Sequence, residues 1–308
     1  MHILSVEQFD PTYLGELFGR ADELKRQASD PVLRRELAER HIGRQMCSLF
    51  YEPSTRTRLS FEAAAAKMGV GVVSTENARE FSSAAKGETL EDTIRVLDAY
   101  DFGAIVLRHH ETGAATRAAA VSKTPIINAG DGKGEHPTQA LLDAYTIHRE
   151  FGRLDNLRVV MGGDLAHGRT VRSLAQLLAK YDGNTIDFVS TPELQIDEDI
   201  KIMLRTSNTE FSETSSVADV LSTADVVYWT RTQTERHEGT ESAGADNFAL
   251  NAEVLKPLPD NAIIMHPLPR VTEIATEVDD DPRARYFEQA GNGLYIRMAL
   301  LDQIFQDD

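Results

Sequence analysis

The sequence predicts two doubly wound α/β domains, each a mostly parallel sheet flanked by helices. Short apolar runs alternate with longer segments whose apolar residues recur at helical spacing. This alternation occurs twice, with a break near residues 130–150. The chain has 308 residues, long for one core and comfortable for two domains of ordinary size.

The first helix is expected over 10–28, where Tyr13, Leu14, Leu17, Phe18, Ala21 and Leu24 share a face. Asp10 before Pro11 is an N-cap followed by proline in the first turn. Residues 46–51 read as a buried strand. Residues 56–68 read as a helix closed by Gly69. Further strands are expected at 71–74, 104–108 and 125–129, with helices at 88–100 and 114–121 between them. Residues 130–134, rich in glycine, read as a flexible loop before a long helix at 137–151. The second half repeats the rhythm, with strands at 157–161, 185–189, 226–229 and 262–265. Its helices fall at 170–181, near 197–204 and at 217–222. A last helix, 286–305, is expected to break near Gly291-Asn292-Gly293. Residues 231–248 form the longest stretch without periodicity, a candidate substrate loop.

Composition narrows the function classes. Hydrophobic residues make up 41% and charged residues 26%, the mix of a globular protein. A net charge of −17 argues against a general nucleic-acid binder, whose footprint is a basic face. It leaves small anionic substrates open, and fits a salt-rich cytoplasm and plain drift equally. Cys47 is the only cysteine, so no internal disulfide is expected. No apolar run is long enough to span a bilayer, and the first residues lack a signal-peptide pattern. The expected location is the cytoplasm, with neither membrane nor nucleic acid as partner.

In open α/β sheets, ligands bind beyond the carboxyl ends of the strands. The first strand leads into Pro53-Ser54-Thr55-Arg56-Thr57-Arg58. Hydroxyls and free N–H groups at a helix start make an anion site, and Arg56 in the first turn opposes the helix dipole unless an anion compensates it. A capped helix with surface arginines would use the same residues. The Gly-rich loop ending in Gly-Lys-Ser/Thr is absent, which disfavours ATP. Arg108 ends another strand. In His136-Pro137-Thr138-Gln139 the histidine sits before a first-turn proline, either as a helix cap or as a donor to a substrate carbonyl. Ser82, Ser83 and Lys86 on their own read as a solvated turn. Gly162-Gly163-Asp164 with Gly168-Arg169 lacks the spacing of a dinucleotide fingerprint. Thr230-Arg231-Thr232-Gln233 pairs a guanidinium with an amide, suited to a carboxylate, but on its own it reads as an exposed polar loop. His266-Pro267-Leu268-Pro269-Arg270 is either a rigid loop or a wall of carbonyl oxygens for a substrate amine. His109-His110-Glu111 lacks metal-ligand spacing, and Cys47 reads as inert packing.

Together these segments resemble one family, the aspartate and ornithine carbamoyltransferases. The residues from Phe50 to Glu62 resemble its carbamoyl-phosphate signature, and His136-Pro137-Thr138-Gln139-Ala140-Leu141 its second shared motif. Lys86-Gly87-Glu88-Thr89, Gly163-Asp164-Leu165 with Gly168-Arg169-Thr170-Val171, Arg231-x-Gln233-x-Glu235-Arg236 and His266-Pro267-Leu268-Pro269-Arg270 resemble the aspartate branch. The ornithine branch typically carries His-Cys-Leu-Pro at the last of these. Two departures stand out: Thr272, where aspartate is usual, and Gly134-Glu135, where an amide or histidine pair is common.

The resemblance implies transfer of the carbamoyl group of carbamoyl phosphate to the α-amine of L-aspartate, an early step of de novo pyrimidine biosynthesis. Its alternatives are another acceptor such as ornithine, or a catalytically inactive scaffold subunit. It implies a carbamoyl-phosphate domain over 1–135, with helix 286–308 packing back on it. An aspartate domain follows over 136–285, with helix 137–151 at the boundary. Ser54, Thr55, Arg56, Arg108 and a neighbouring subunit's Ser82 and Lys86 would hold the phosphate. Thr57, Arg108 and His136 would face the carbonyl oxygen. Gln139 and the carbonyls near Pro267 and Leu268 would hold the carbamoyl amino group. Arg169, Arg231, Gln233 and Lys86 would bind aspartate. Arg56, Thr57, Lys86, Arg108 and His136 are the implied catalytic group. A homotrimer with shared sites is implied, with room for regulatory chains, and no metal or organic cofactor.

Overall fold

The computed structural model describes residues 1–81, 86–231 and 249–306. The chain divides into two compact units, residues 1–141 with 291–308, and residues 142–290.

In the first unit, α1 (Pro11–Ser29) and α2 (Pro31–Arg40) precede β1 (Gln45–Phe50), α3 (Thr55–Lys67) and β2 (Gly71–Thr75). Then come α4 (Ala78–Phe81), α5 (Leu90–Asp98), β3 (Ala104–His109), α6 (Ala114–Val121) and β4 (Ile126–Asp131). The strands pair in parallel in the order β2-β1-β3-β4. The second unit holds β5 (Arg158–Gly162), α8 (Arg169–Leu178), β6 (Thr185–Val189), α9 (Glu198–Thr206) and β7 (Glu210–Thr214). It continues with α10 (Ala218–Leu221), β8 (Val226–Trp229) and β9 (Ile263–Met265), in the parallel order β7-β6-β5-β8-β9. Helices α7 (Pro137–Phe151) and α11 (Tyr286–Gln306) each run through a division point. These are the two parallel, helix-flanked sheets that the alternation predicts.

Local chemistry sets the boundaries. The Asp10 carboxylate accepts from the Tyr13 N–H and starts α1, whose Leu14, Leu17, Phe18, Ala21 and Leu24 are buried. Asp30 ends α1 and starts α2, its carboxylate accepting from the N–H groups of Val32 and Leu33. Such a cap contributes about 1 kcal/mol. Gly69, at φ +76°, follows the last turn of α3; a Cβ there would lie 2.5 Å from the Ala38 carbonyl oxygen. Burial pushes the Cys47 thiol up to about 12, as inert core packing requires.

The structure corrects two expectations. Gly130 and Asp131 are not a flexible loop; they extend β4 and are buried, because the Asp131 side chain gathers the N–H groups of Gly113 ahead of α6 and of Glu135 in the following turn. Helix α11 does not break at Gly291-Asn292-Gly293. Its Ile296, Met298, Ala299, Leu300 and Leu301 are buried, and that packing overrides the low propensity of glycine.

The end of α11 is tied to α1 and α2 through buried Asp302. Its carboxylate accepts from Arg20 Nε at 2.7 Å and Gln306 Nε2 at 2.7 Å, and lies 3.0 Å from His41 Nε2. Burial opposes its charge, yet the His41 and Arg20 hydrogen bonds outweigh that and hold the carboxyl below its usual range. A folded pKa below the unfolded value stabilises above the unfolded pKa of about 3.9 and is lost as pH falls through the folded one. Asp302→Asn is expected to cost about 3 kcal/mol at neutral pH. Its deficit in urea unfolding should shrink below about pH 4; a pH-independent deficit would show that charge is not the cause.

Candidate active site

The strand order of the first sheet reverses beside β1, with β2 on one side and β3 on the other. Such a switch point opens a crevice at the strand ends. The register pairs Phe50 with Arg108, and the Tyr51 N–H donates to the Arg108 carbonyl at 2.9 Å. Ser54 is the N-cap of α3, but its side chain makes no cap hydrogen bond. It is half-buried, Thr55 and Arg56 are exposed, and Thr57 is buried. Arg58 belongs elsewhere: it pairs with Glu62 at 3.2 Å and Glu76 at 2.9 Å.

Arg108 donates from Nη1 to the Ala129 carbonyl at 3.2 Å, and its Nε lies 3.6 Å from Glu52. Glu52, inside the Phe50–Glu62 segment, thus places a carboxylate beside the Arg108 guanidinium. Burial, helped by His110, pushes the next residue, His109, down to about 4. Its Nδ1 accepts from the Glu111 N–H, and its ring stacks on His110, so the pair is packing rather than metal ligation.

His136 reaches this crevice from the turn after β4. Asp131 accepts there from Gly113 N–H at 2.7 Å, Glu135 N–H at 3.0 Å and Asn128 Nδ2 at 3.3 Å. A Cβ on Gly134 would lie 2.8 Å from the Asp131 carboxylate, so this departure from the family pattern belongs to a tight turn. Glu135 accepts from the Ser5 hydroxyl and the Val6 N–H, both at 2.8 Å. Burial holds its pKa above the usual range. The outcome is a buried His136 whose Nε2 lies 3.4 Å from Thr57 Oγ1, with buried Gln139 one turn further along α7. Lys86 is exposed ahead of α5 and makes no hydrogen bond or ion pair among the described residues.

The second sheet reverses beside β5, where Gly162 pairs with Trp229. The glycines here make room for protein, not for a dinucleotide. A Cβ on Gly162 would lie 2.1 Å from the Trp229 ring, and one on Gly163, at φ +103°, 2.0 Å from the Thr230 carbonyl oxygen. Buried Asp164 accepts from the His167 N–H at 3.1 Å and curls the loop into α8, whose first residue is buried Arg169. Thr230 donates through its N–H and hydroxyl to the Gly162 carbonyl, and half-buried Arg231 follows. Pro267 and Leu268 follow β9. Arg270 is held by Asp279 and by the Tyr286 hydroxyl, with its guanidinium over the Tyr286 ring. Ser82, Ser83, Gln233 and residues 232–248 of the predicted substrate loop lie outside the described residues.

Comparisons with known proteins bear on what these two crevices serve. Residues 1–149 match the family profile described as aspartate/ornithine carbamoyltransferase, carbamoyl-P binding domain. Residues 155–304 match the corresponding Asp/Orn binding domain. The chain belongs to the aspartate/ornithine carbamoyltransferase family. Among its carbamoyltransferase relatives, the chloroplastic aspartate carbamoyltransferase of Oryza sativa subsp. japonica is 52% identical over 97% of this chain and 83% of its own length. The catalytic subunit of M. Jannaschii aspartate transcarbamoylase superposes with TM-score 0.90 at 40% identity, covering 100% of this chain and 98% of that one. The Trypanosoma cruzi aspartate transcarbamoylase in complex with carbamoyl phosphate and aspartate gives TM-score 0.86 at 38% identity, covering 97% and 95%. Both crevices thus belong to a carbamoyltransferase fold, and the nearby His266-Pro267-Leu268-Pro269 is of the aspartate-branch kind.

Proposed function

We infer that this chain transfers the carbamoyl group of carbamoyl phosphate to the α-amine of L-aspartate. The products are N-carbamoyl-L-aspartate and phosphate, an early step of de novo pyrimidine biosynthesis. The observation that carries this reading is the meeting of Thr57 and His136 beside the α3 N-terminus, at the β1/β3 switch point. A second crevice carrying Arg169 and Arg231 suits an acceptor with two carboxylates.

The chemistry follows from these groups. The phosphate lies on the α3 N–H groups, the hydroxyls of Ser54 and Thr55, and Arg56, where the helix dipole favours an anion. The neutral amine attacks the carbamoyl carbon, and the carbonyl oxygen gains charge. Thr57, Arg108 and His136 donate to that oxygen; one such donor typically supplies about 3 kcal/mol of transition-state stabilisation. Gln139 and the carbonyls of Pro267 and Leu268 hold the carbamoyl amino group. Arg169, Arg231 and Gln233 hold aspartate, and the leaving phosphate takes the amine proton. Positioning and preorganised charge supply the rate.

The site is completed in a homotrimer, by a neighbour's Ser82 and Lys86. An apolar edge supports this assembly. β2 ends the first sheet, and its Val72 and Val73 are 36% and 51% exposed, with Leu59 on α3 at 49%. Unpaired apolar edges on a soluble chain invite a partner. The proposed location is the cytoplasm; a single cysteine, and so no internal disulfide, fits a reducing compartment.

The test is carbamoyl-phosphate-dependent product formation with aspartate and ornithine side by side, at low and high salt. Product from aspartate is expected at both salts. Turnover of ornithine alone would reassign the acceptor, and no product from either would point to a scaffold subunit.

A further inference from the structure

The loop that carries Pro267 and Leu268 has an unusual backbone. Leu268 sits at φ +52°, a left-handed conformation that a residue other than glycine rarely keeps without outside support. That support is a buried chain of hydrogen bonds whose direction is fixed at every link. The Leu268 N–H donates to His266 Nδ1 at 2.8 Å, so the ring proton resides on Nε2. Nε2 donates to Glu273 Oε1 at 2.8 Å. The Glu273 carboxylate also accepts from the N–H groups of Val271 and Thr272, each at 3.1 Å to Oε2. Burial opposes the Glu273 charge, but the His266 and backbone hydrogen bonds outweigh it and hold the pKa below its usual range.

The chain continues away from the loop. The His266 N–H donates to Gln289 Oε1 at 2.9 Å, and Gln289 Nε2 donates to Asp143 Oδ1 at 2.6 Å. Asp143 Oδ2 accepts from the Tyr228 hydroxyl at 2.8 Å. Asp143, Tyr228, Gln289 and His266 are all buried. A carboxylate sealed into a core is costly unless its oxygens are satisfied. This one sits three hydrogen bonds from a strained loop, which gives it a use.

We propose that Asp143, Gln289, His266 and Glu273 form a buried relay that holds the Leu268 backbone in its left-handed conformation and aims the Pro267 and Leu268 carbonyls at the carbamoyl amino group. They are positioning residues, and the inference rests on the reading of Pro267 and Leu268 given above. The directionality makes it testable by exchange. In Asp143→Asn, the one amide oxygen cannot accept from both Tyr228 and Gln289; kept on Tyr228, it turns N–H towards Gln289. If Gln289 flips to accept, it turns N–H against the His266 N–H. In Gln289→Glu, two carboxylates face each other. In the double variant, the residue 143 amide donates to the residue 289 carboxylate, which still accepts from His266, and every bond is restored. Glu273→Gln has no such escape. One arm of its amide cannot accept, so either His266, the 271–272 N–H groups or the Leu268 N–H loses a partner.

The experiment measures kcat, the aspartate KM, the dissociation constant of inorganic phosphate and the melting temperature. The samples are the wild type, both single variants, the double variant and Glu273→Gln. Each single change should lower kcat by about 10–100-fold, the effect of a small misplacement, with phosphate affinity unchanged. The double variant should return to within about threefold of wild type. A double variant no faster than the slower single, or singles at wild-type rate, would overturn the relay. If the singles at 143 and 289 do not fold, Glu273→Gln decides: a slow, folded enzyme supports the relay and a wild-type rate overturns it. Failure of the underlying reading shows separately, as a wild-type chain that makes no product from aspartate.

Discussion

Arg56→Ala is expected to lower kcat by about 10²–10³-fold while the fold persists. Arg56 is exposed in the first turn of α3, so no core packing is lost with it. What is lost is a cation placed where the helix N-terminus already gathers N–H groups for an anion. The neighbouring Arg58 is the internal control. It pairs with Glu62 and Glu76, so Arg58→Ala should act on stability rather than on phosphate binding. Steady-state rates with a competing phosphate titration separate the two. Near-normal turnover in Arg56→Ala would remove it from the grip.

Chains carrying Lys86→Ala and chains carrying Ser54→Ala should each be nearly inactive alone, and mixtures should regain activity. Ser54 stands at the N-cap position of α3 with its hydroxyl uncommitted to the cap, whereas Lys86 has no hydrogen bond or ion pair among the described residues of its own chain. If a neighbour supplies Lys86, a mixed trimer contains a site with Ser54 from one chain and Lys86 from the other. Denaturing the two variants together and renaturing them provides the hybrids. Absence of recovery in verified mixed trimers would count against shared sites.

How much of this was legible in the sequence depends on the range of each signal. The phosphate segment is contiguous, so its hydroxyls, arginine and helix start could be read together. The Asp10-Pro11 start of α1 was legible for the same reason. The Asp30-Pro31 start of α2 carries the same signal, but the helix is mostly exposed and charged, with Leu37 its buried residue, so no apolar period advertised it. β7 was missed because it is an edge strand with polar residues facing out. The supports of the site were hidden for a different reason. Asp143 meets Gln289 across 146 positions and Tyr228 across 85, and each residue alone looks like an ordinary polar position on a helix or strand. Chemistry that lies along the chain is readable; chemistry assembled by strand order is not.

The close approach of Trp229 to Gly162 also has an optical consequence. The chain carries a single tryptophan, and its ring is buried at the end of β8, one residue before Thr230 and two before Arg231. Intrinsic fluorescence excited at the red edge of the protein band therefore has one origin, a dry indole in the second unit beside the crevice assigned to aspartate. The unaltered protein carries its own reporter there, and the emission colour reads the hydration of that one strand end.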